Sequence, residues 1–449
     1  MADFFEKVFH LKKEGTSFRT EVLAGLTTFL TMSYIIFLQP AVLSKDFGGN
    51  PTGMDFGAIL LATCLSAACS SIFMGLYAKY PIALAPGMGE NFFFVSVIMS
   101  LTAMGVRDAW QTALGIVFIS GVIFFALSAL RVREAIIDAV SPSMRNGIAV
   151  GIGLFITFIG LQHGRLIIDK PGTLVGLNTH FAAPDILVFF TGLIVTSVLR
   201  VRKVRGAILW GILAGAFLAL CLGKIQYQGI FGFPVIKQSL IFKMNVVEAF
   251  RMAYLPFIMV FLFMDMFDTV GTLVGVAEAA GFMDGNRLPR ADRVLVVDAA
   301  WTVGGACLGT STVTSYIESA AGVAFGGRTG LTSVTVGALF FAALLFGPFI
   351  GMIGNYPPIT APALVIVGVM MIESVKKIDW DDPSESIPAF LTMIGIPFCY
   401  SIADGLALGF ISYPVIKLLS GRGRDMSWLM IVLAGLLLVY FIFVRGHLG

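Results

Sequence analysis

Charge is what this sequence has least of. Asp, Glu, Lys and Arg together make up 13% of it, where a soluble domain carries about a quarter. Too few polar side chains remain to coat several water-exposed domains, so a soluble enzyme is excluded. Histidine is scarce as well. The four present, His10, His163, His180 and His447, lie at segment ends or in connections. No His-Glu-x-x-His pair and no metal-ligand cluster can be assembled from them, so no metal is expected. The five cysteines, Cys64, Cys69, Cys221, Cys307 and Cys399, are odd in number and lack metal-ligand spacing; they read as small core residues. The stretch Met1–Arg19 is polar, mixed in charge and has no apolar centre, so no cleavable signal peptide is visible. A net charge of +3 is too small to indicate a nucleic-acid partner.

Hydrophobic residues fill the gap at 57% of the chain, and they come in runs. A run of about 20 apolar residues matches the thickness of a bilayer core. Spans are expected near 21–43, 55–78, 81–103, 109–130, 146–163, 184–200 and 206–223 in the first half. The second half supplies 251–280, 294–311, 312–325, 329–353, 359–373, 386–402 and 403–420. That makes about fourteen. A further apolar run at 427–445 is expected either to add a span or to lie against the bundle. Lys and Arg mark the cytoplasmic side of a membrane protein. They gather in the even-numbered connections: Arg131, Arg133 and Arg145; Arg200, Arg202, Lys203 and Arg205; Arg287, Arg290 and Arg293; Lys376 and Lys377; Arg422 and Arg424. The pattern predicts an all-α polytopic membrane protein with its N-terminus, residues 1–20, in the cytoplasm. The connection 224–250, with Lys224, Lys237 and Lys243, departs from it in part.

The halves repeat one device. Ala85-Pro-Gly-Met-Gly-Glu-Asn-Phe92 interrupts span three, and Thr310-Ser-Thr-Val-Thr-Ser-Tyr-Ile-Glu-Ser-Ala-Ala-Gly-Val323 interrupts span ten, seven spans later, and short extended stretches are expected in both. An odd offset makes the repeat inverted across the membrane. Broken backbone leaves N–H and C=O groups that lipid cannot satisfy, so it is tolerated only around a polar cavity or ligand. Paired breaks in inverted halves point to a transporter site.

Acidic residues inside spans cost a few kcal/mol each on insertion scales, so they are functional candidates. Asp265, Asp268 and Thr272 follow one another at helical spacing in span eight. Two close carboxylates in low dielectric do not readily ionise together, which suits proton binding. Glu318 sits in the break of span ten beside Tyr316 and Ser319, suited to accept N–H donors of a planar ligand, to carry a proton, or to cap a half-helix. Asn91 occupies the break of span three and both donates and accepts; capping is its plainer role. Glu90 beside it reads equally as gate, cap or ligand contact. Asp298 and Asp404 read as structural. Thr27, Thr28 and Thr31 either line the site or bond their own helix. Gly147-x-x-x-Gly151-x-Gly153 reads as close helix packing rather than nucleotide binding, and Arg328 as an anchor for a helix end.

At these residues the chain resembles the nucleobase–ascorbate transporter superfamily, and within it the AzgA-like purine permeases. The segments that carry the resemblance are Ala24-Gly-Leu-Thr-Thr-Phe-Leu-Thr-Met-Ser-Tyr34, Ala85-Pro-Gly-Met-Gly-Glu-Asn-Phe-Phe93, Met266-Phe-Asp-Thr-Val-Gly-Thr-Leu273 and Gly309-Thr-Ser-Thr-Val-Thr-Ser-Tyr-Ile-Glu-Ser319, with Gly326-Gly-Arg-Thr-Gly330. The resemblance implies two inverted seven-span repeats. Residues 21–130 and 251–353 form a core domain, 146–223 and 359–420 a gate domain, and 427–449 a C-terminal hydrophobic segment. It implies proton-coupled uptake of a purine nucleobase across the inner membrane by secondary active transport, with the proton as coupling ion and no cofactor. Carried over by position, its site carboxylates fall on Asp268 and Glu318 and its asparagine on Asn91. Thr272 stands where uracil and xanthine relatives often carry another polar group. Two positions depart: adenine-type members more often have an apolar residue at Glu90, and some members an uncharged one at Asp265. Phe92, Phe267 and Tyr316 are suited to stack on a flat base. Similar folds commonly pair through the gate domain, so a homodimer is an open expectation.

Two other readings compete. An aspartate protease needs two facing carboxylates, whereas Asp265 and Asp268 share one helix. An anion exchanger or channel on the same fold would favour basic pore groups, and these are acidic.

Overall fold

The computed structural model describes residue 6 and residues 8–130, 140–282, 289–439 and 441. Arg131, Arg133, Arg287, His447 and most of the stretch beyond 439 lie outside the described residues, as do positions 1–5 and 7 of the N-terminal segment. A helix stands at each of the fourteen expected positions. Eight are long and apolar enough to cross a membrane, among them Phe18–Leu43, Phe56–Ala78, Ala109–Ala129, Pro142–His163 and Ile402–Leu419. Met88–Ala103, Ala207–Cys221 and Gly330–Ala343 are apolar but shorter. The shortfall has physical causes. Spans three and ten begin as strands, which leaves half-helices. Span nine, Ala291–Leu308, carries Asp292, Arg293 and Asp298, and span thirteen, Pro383–Phe398, carries Pro388 and Pro397 within it.

The helices start where their sequences supply caps. Ser17, Asp55, Ser141, Thr329, Asp382 and Ser401 each accept a first-turn backbone N–H, which satisfies donors that lipid would leave bare. Pro142, Pro184 and Pro357 open their helices at a position where the missing N–H costs nothing.

Packing sorts the helices into two groups. Phe18–Met32 and Phe56–Phe73 pack on Gly330–Ala343, and Ala109–Ala129 packs on Ala291–Leu308 and Leu255–Ala280. In the other group Pro142–His163 packs on Pro357–Ile372 and Pro383–Phe398, and Pro184–Val201 packs on Ala207–Cys221. Small residues allow the close approaches. A Cβ on Gly147 would lie 2.8 Å from the Ala389 carbonyl oxygen, and one on Gly153 would lie 2.8 Å from the Met371 Cβ. The glycine run of span five is therefore a helix-packing face, as its apolar setting implied.

Two short sheets interrupt the helical pattern. β1, Leu84–Pro86, pairs with β4, Val313–Ser315, inside the protein. β2, Ile167–Lys170, and β3, Leu174–Leu177, form an exposed hairpin between spans five and six. The breaks of spans three and ten predict extended backbone there, and the hairpin is an addition to them. The hairpin's signal is Pro171-Gly172, with Gly172 at φ 92°. The C-terminal helix Trp428–Val439 lies against Ile402–Leu419.

Candidate functional site

Proline and threonine make the two breaks. Pro81 and Pro86 remove backbone donors from the approach to span three, and each pushes the residue before it, Tyr80 and Ala85, toward extended backbone. In span ten, Gly309 at φ 100° ends the preceding helix, and Thr310, Thr312, Val313 and Thr314, all β-branched, favour a strand. Leu84 faces Ser315, Ala85 faces Thr314 and Pro86 faces Val313 in antiparallel register. Two bonds extend the ladder: Tyr316 N–H to the Ala83 carbonyl at 2.9 Å, and Gly87 N–H to the Thr312 carbonyl at 3.0 Å. Beyond the strands, Met88–Ala103 and Ser319–Phe325 leave at opposite ends.

A cavity of about 820 Å³ opens at this junction, within the range of small-molecule sites. Tyr34, Glu90, Asp268, Thr272, Tyr316 and Glu318 line one side of it. Ile148, Ile152, Val367, Met371, Leu406 and Phe410 line the facing side with apolar surface. The Asp268 side chain stands open to the cavity and within charge–charge range of both Glu90 and Glu318. The Tyr34 hydroxyl donates to Glu318 Oε1 at 2.8 Å, and the Tyr316 hydroxyl to the Pro86 carbonyl at 2.5 Å. Arg145, at the start of Pro142–His163, and Lys376 and Lys377, after span twelve, also line the cavity and group its basic residues.

Behind the polar wall lies a lattice of hydroxyls and carboxylates. Thr269 donates to Asp298 Oδ2 at 2.6 Å, and Ser315 donates to Asp298 Oδ1 at 3.0 Å. The Thr302 hydroxyl lies 2.7 Å from Asp265 Oδ2 and 3.1 Å from the Val313 carbonyl. Gln39 donates to Thr310 at 2.6 Å. These bonds fix β4 to spans one, eight and nine, and all their members are buried. A second cluster is aromatic. The Phe47 ring lies 6.2 Å from Phe92, 5.5 Å from Phe155 and 5.5 Å from Tyr400. Phe158 joins it through Tyr400 at 5.9 Å.

A profile described as the Permease family matches residues 19–408. The chain belongs to that family. It is a multi-pass membrane transport protein, not an enzyme, and its relatives place it among the nucleobase–ascorbate transporters of the sequence resemblance. A putative permease of Methanocaldococcus jannaschii is 45% identical over 99% of both chains. The guanine/hypoxanthine permease PbuG of Bacillus subtilis is 43% identical over 97% of this chain and 99% of its own length. The adenine permease AdeP of Escherichia coli is 40% identical over 98% and 97%. Among solved structures, the transmembrane domain of a cyanobacterial bicarbonate transporter, BicA, aligns at TM-score 0.62 and 16% identity, covering 87% of this chain and 97% of that one. SLC26A9 aligns at 0.62 and 10% identity, covering 93% and 69%. At such identities the likeness is one of fold, the inverted-repeat fold.

The permease brings Asp268, Thr272, Tyr316 and Glu318 to one cavity. Other expected residues stand elsewhere. Asn91 is wholly buried behind the wall, where its Oδ1 accepts from the Ser311 hydroxyl. Phe92 belongs to the aromatic cluster. Ser319 accepts the Ala83 N–H at 3.0 Å and so holds β1. Asp265 turns to Thr302, and its Oδ1 meets no donor among the described residues. Thr27 and Thr31 bond carbonyls of their own helix. Tyr34 was not singled out from the sequence, although a tyrosine between the two helices of span one, in an apolar run, was a readable signal. Glu21 was also missed. It is buried and accepts from Arg328 N–H at 2.8 Å and from the Thr332 hydroxyl at 2.6 Å, capping span eleven. Arg328 Nη1 in turn donates to the Val323 carbonyl at 2.8 Å, so it anchors a half-helix end.

Proposed function

We propose that this permease takes up purine nucleobases across the cell inner membrane, coupled to protons, by movement of a core domain against a gate domain. The observation that carries the reading is the cavity at the strand junction. A planar heterocycle fits between its apolar face and its carboxylates, which accept ring N–H donors through strong charge-assisted bonds. The names of relatives at 40–43% identity, adenine and guanine/hypoxanthine permeases, supply the substrate class. The core domain is the packing group that carries the half-helices, and the gate domain the group of spans five to seven and twelve to fourteen. Basic residues grouped in the cavity lining favour an opening to the cytoplasm and a cytoplasmic N-terminus. Asp268 and Glu318 are the proposed proton carriers. A neutral, loaded site crosses an apolar gate at lower electrostatic cost than a charged, empty one. An anion exchanger is disfavoured, because the site presents acceptors and negative charge to its ligand.

The test is uptake of radiolabelled hypoxanthine by cells that lack their own purine permeases, with guanine, adenine and xanthine as competitors. Uptake that a protonophore abolishes supports the reading. Uptake that only runs down the substrate gradient makes the protein a facilitator, and absence of purine uptake removes the substrate assignment.

A further inference from the structure

On the cavity wall the Glu90 carboxylate has a single hydrogen-bond donor among the described residues, its own backbone N–H. Glu90 sits in the first turn of the half-helix Met88–Ala103, with Gly87 as its N-cap. It is only 2% exposed and it lines the cavity. No other residue donates a hydrogen bond to it among the described residues. Glu318 differs, since the Tyr34 hydroxyl already fills one of its acceptor sites at 2.8 Å. A carboxylate withdrawn from water needs several donors to offset its lost hydration; its own N–H supplies one, and the cavity it lines is where a ligand supplies the rest. Gly87 sets its position. A Cβ built on Gly87 would lie 2.2 Å from Glu90 Oε2, so the carboxylate folds over the space that a side chain there would occupy.

Resting on the transport reading above, we propose that Glu90 is a specificity-determining residue that selects a 2-amino-6-oxopurine. Two oxygens side by side match two N–H donors side by side. The ring N1–H and the 2-amino group of guanine offer that pair. Hypoxanthine offers N1–H alone and leaves one oxygen unpaired. Xanthine flanks N1–H with two carbonyl oxygens, which the second carboxylate oxygen repels. Adenine sets a lone pair beside its amino group, again against an acceptor. A site whose buried acceptors are left unpaired rejects the poorer ligand strongly.

The test uses the full chain in cells without purine permeases and compares KM for guanine and hypoxanthine. Wild type should favour guanine. Glu90→Gln offers one acceptor and one donor, which suits the N1–H and 6-oxo edge of hypoxanthine. It should raise the guanine-to-hypoxanthine KM ratio by about tenfold or more, the scale of losing one hydrogen bond to a charged group. Gly87→Ala, which pushes the carboxylate away without altering its chemistry, should move the ratio in the same direction, and it carries the test if Glu90→Gln does not reach the membrane. A ratio within twofold of wild type, equal loss of both substrates at normal membrane abundance, or a wild-type preference for adenine overturns the assignment to Glu90. Failure of wild type to take up any purine instead overturns the transport reading beneath it.

Discussion

Tyr34 and Glu318 meet across the cavity wall, hydroxyl to carboxylate at 2.8 Å, although 284 residues separate them. Tyr34 stands between the two helices of span one, and Glu318 stands just before the half-helix of span ten. The bond orients a cavity-facing carboxylate and occupies one of its acceptor sites. Tyr34→Phe keeps the ring and removes the donor. Hydrogen bonds to charged groups are worth about 1.5–3 kcal/mol, so KM for purine should rise by about tenfold or more while membrane abundance is kept. Unchanged uptake kinetics would show that Tyr34 does not position Glu318.

Removing charge at the cavity separates binding from coupling. Glu318→Gln keeps shape and loses a charged acceptor, and uptake should fall severely with the protein still in the membrane. Asp268→Asn should exchange purine between inside and outside but move no protons. Proteoliposomes with a lumenal pH dye report this directly. Wild type should acidify the lumen on addition of purine, and Asp268→Asn should not. Accumulation against a gradient by Asp268→Asn would assign the proton elsewhere.

The lattice behind β4 is expected to act on stability before it acts on transport. Thr302→Val removes the hydroxyl beside Asp265 Oδ2 and leaves that carboxylate without any donor from the described residues. An unsatisfied buried group costs about 1–3 kcal/mol, more when charged. The melting temperature of detergent-purified protein should fall, and purine should restore part of the loss by mass action. A melting temperature equal to wild type would mean that Asp265 has found another donor.

A buried cation ties the last two spans together. Lys417 is 3% exposed and lies 2.9 Å from Glu385 Oε1, which also accepts the Tyr413 hydroxyl at 2.8 Å. Lys417→Met leaves Glu385 its Tyr413 donor but no counter-charge, and breaking a buried pair in this way costs about 3–5 kcal/mol. Asp382, at the N-cap of span thirteen, is held below the usual carboxylate range by the hydroxyl and amide of Ser384, with Arg422 and Lys417 adding to the effect. A depressed native value stabilises the fold in full above the ordinary carboxylate range. That contribution is lost as pH falls through the depressed value. The stability difference between wild type and Asp382→Asn should therefore be largest at neutral pH and close in acid. A difference that does not change with pH would remove Asp382 from the account.

The aromatic cluster makes a prediction about access. Phe47 and Phe92 belong to the first repeat's core spans and their margin, while Phe155 and Tyr400 belong to the facing group. Phe47→Ala should loosen that contact. A cysteine at Ile152, which lines the cavity, should then react faster with a membrane-impermeant thiol reagent added from outside, in a background without the native cysteines. Equal rates would show that the cluster does not seal the outer side.

Span positions were legible in the sequence because bilayer thickness and the Lys/Arg bias act on composition alone. The breaks were legible because Pro81, Pro86 and Gly309 forbid continuous helix locally. What a side chain faces within a break was harder to read. Successive residues on a helix point about 100° apart, so Glu90 reaches the cavity while Asn91, its neighbour, turns to Ser311. Asp265 shares a helical face with Asp268 by spacing, yet the helix stands between the cavity and span nine, and a small rotation sends Asp265 to Thr302. The Tyr34–Glu318 bond had no local signal at all, since it exists only once both halves are folded together.

The antiparallel pairing of β1 and β4 also sets an order of assembly. Ala83 and Ser319 are 236 residues apart, so β1 enters the bilayer with its backbone groups unpaired and waits for a strand the ribosome has yet to make. In the interval its N–H and C=O groups have Ser70, Ser71 and water to turn to. Insertion of the first half is thus provisional. The step that completes the cavity also pairs the strand in the first break, so quality control that senses a bare strand in the membrane would in effect be checking for a finished cavity.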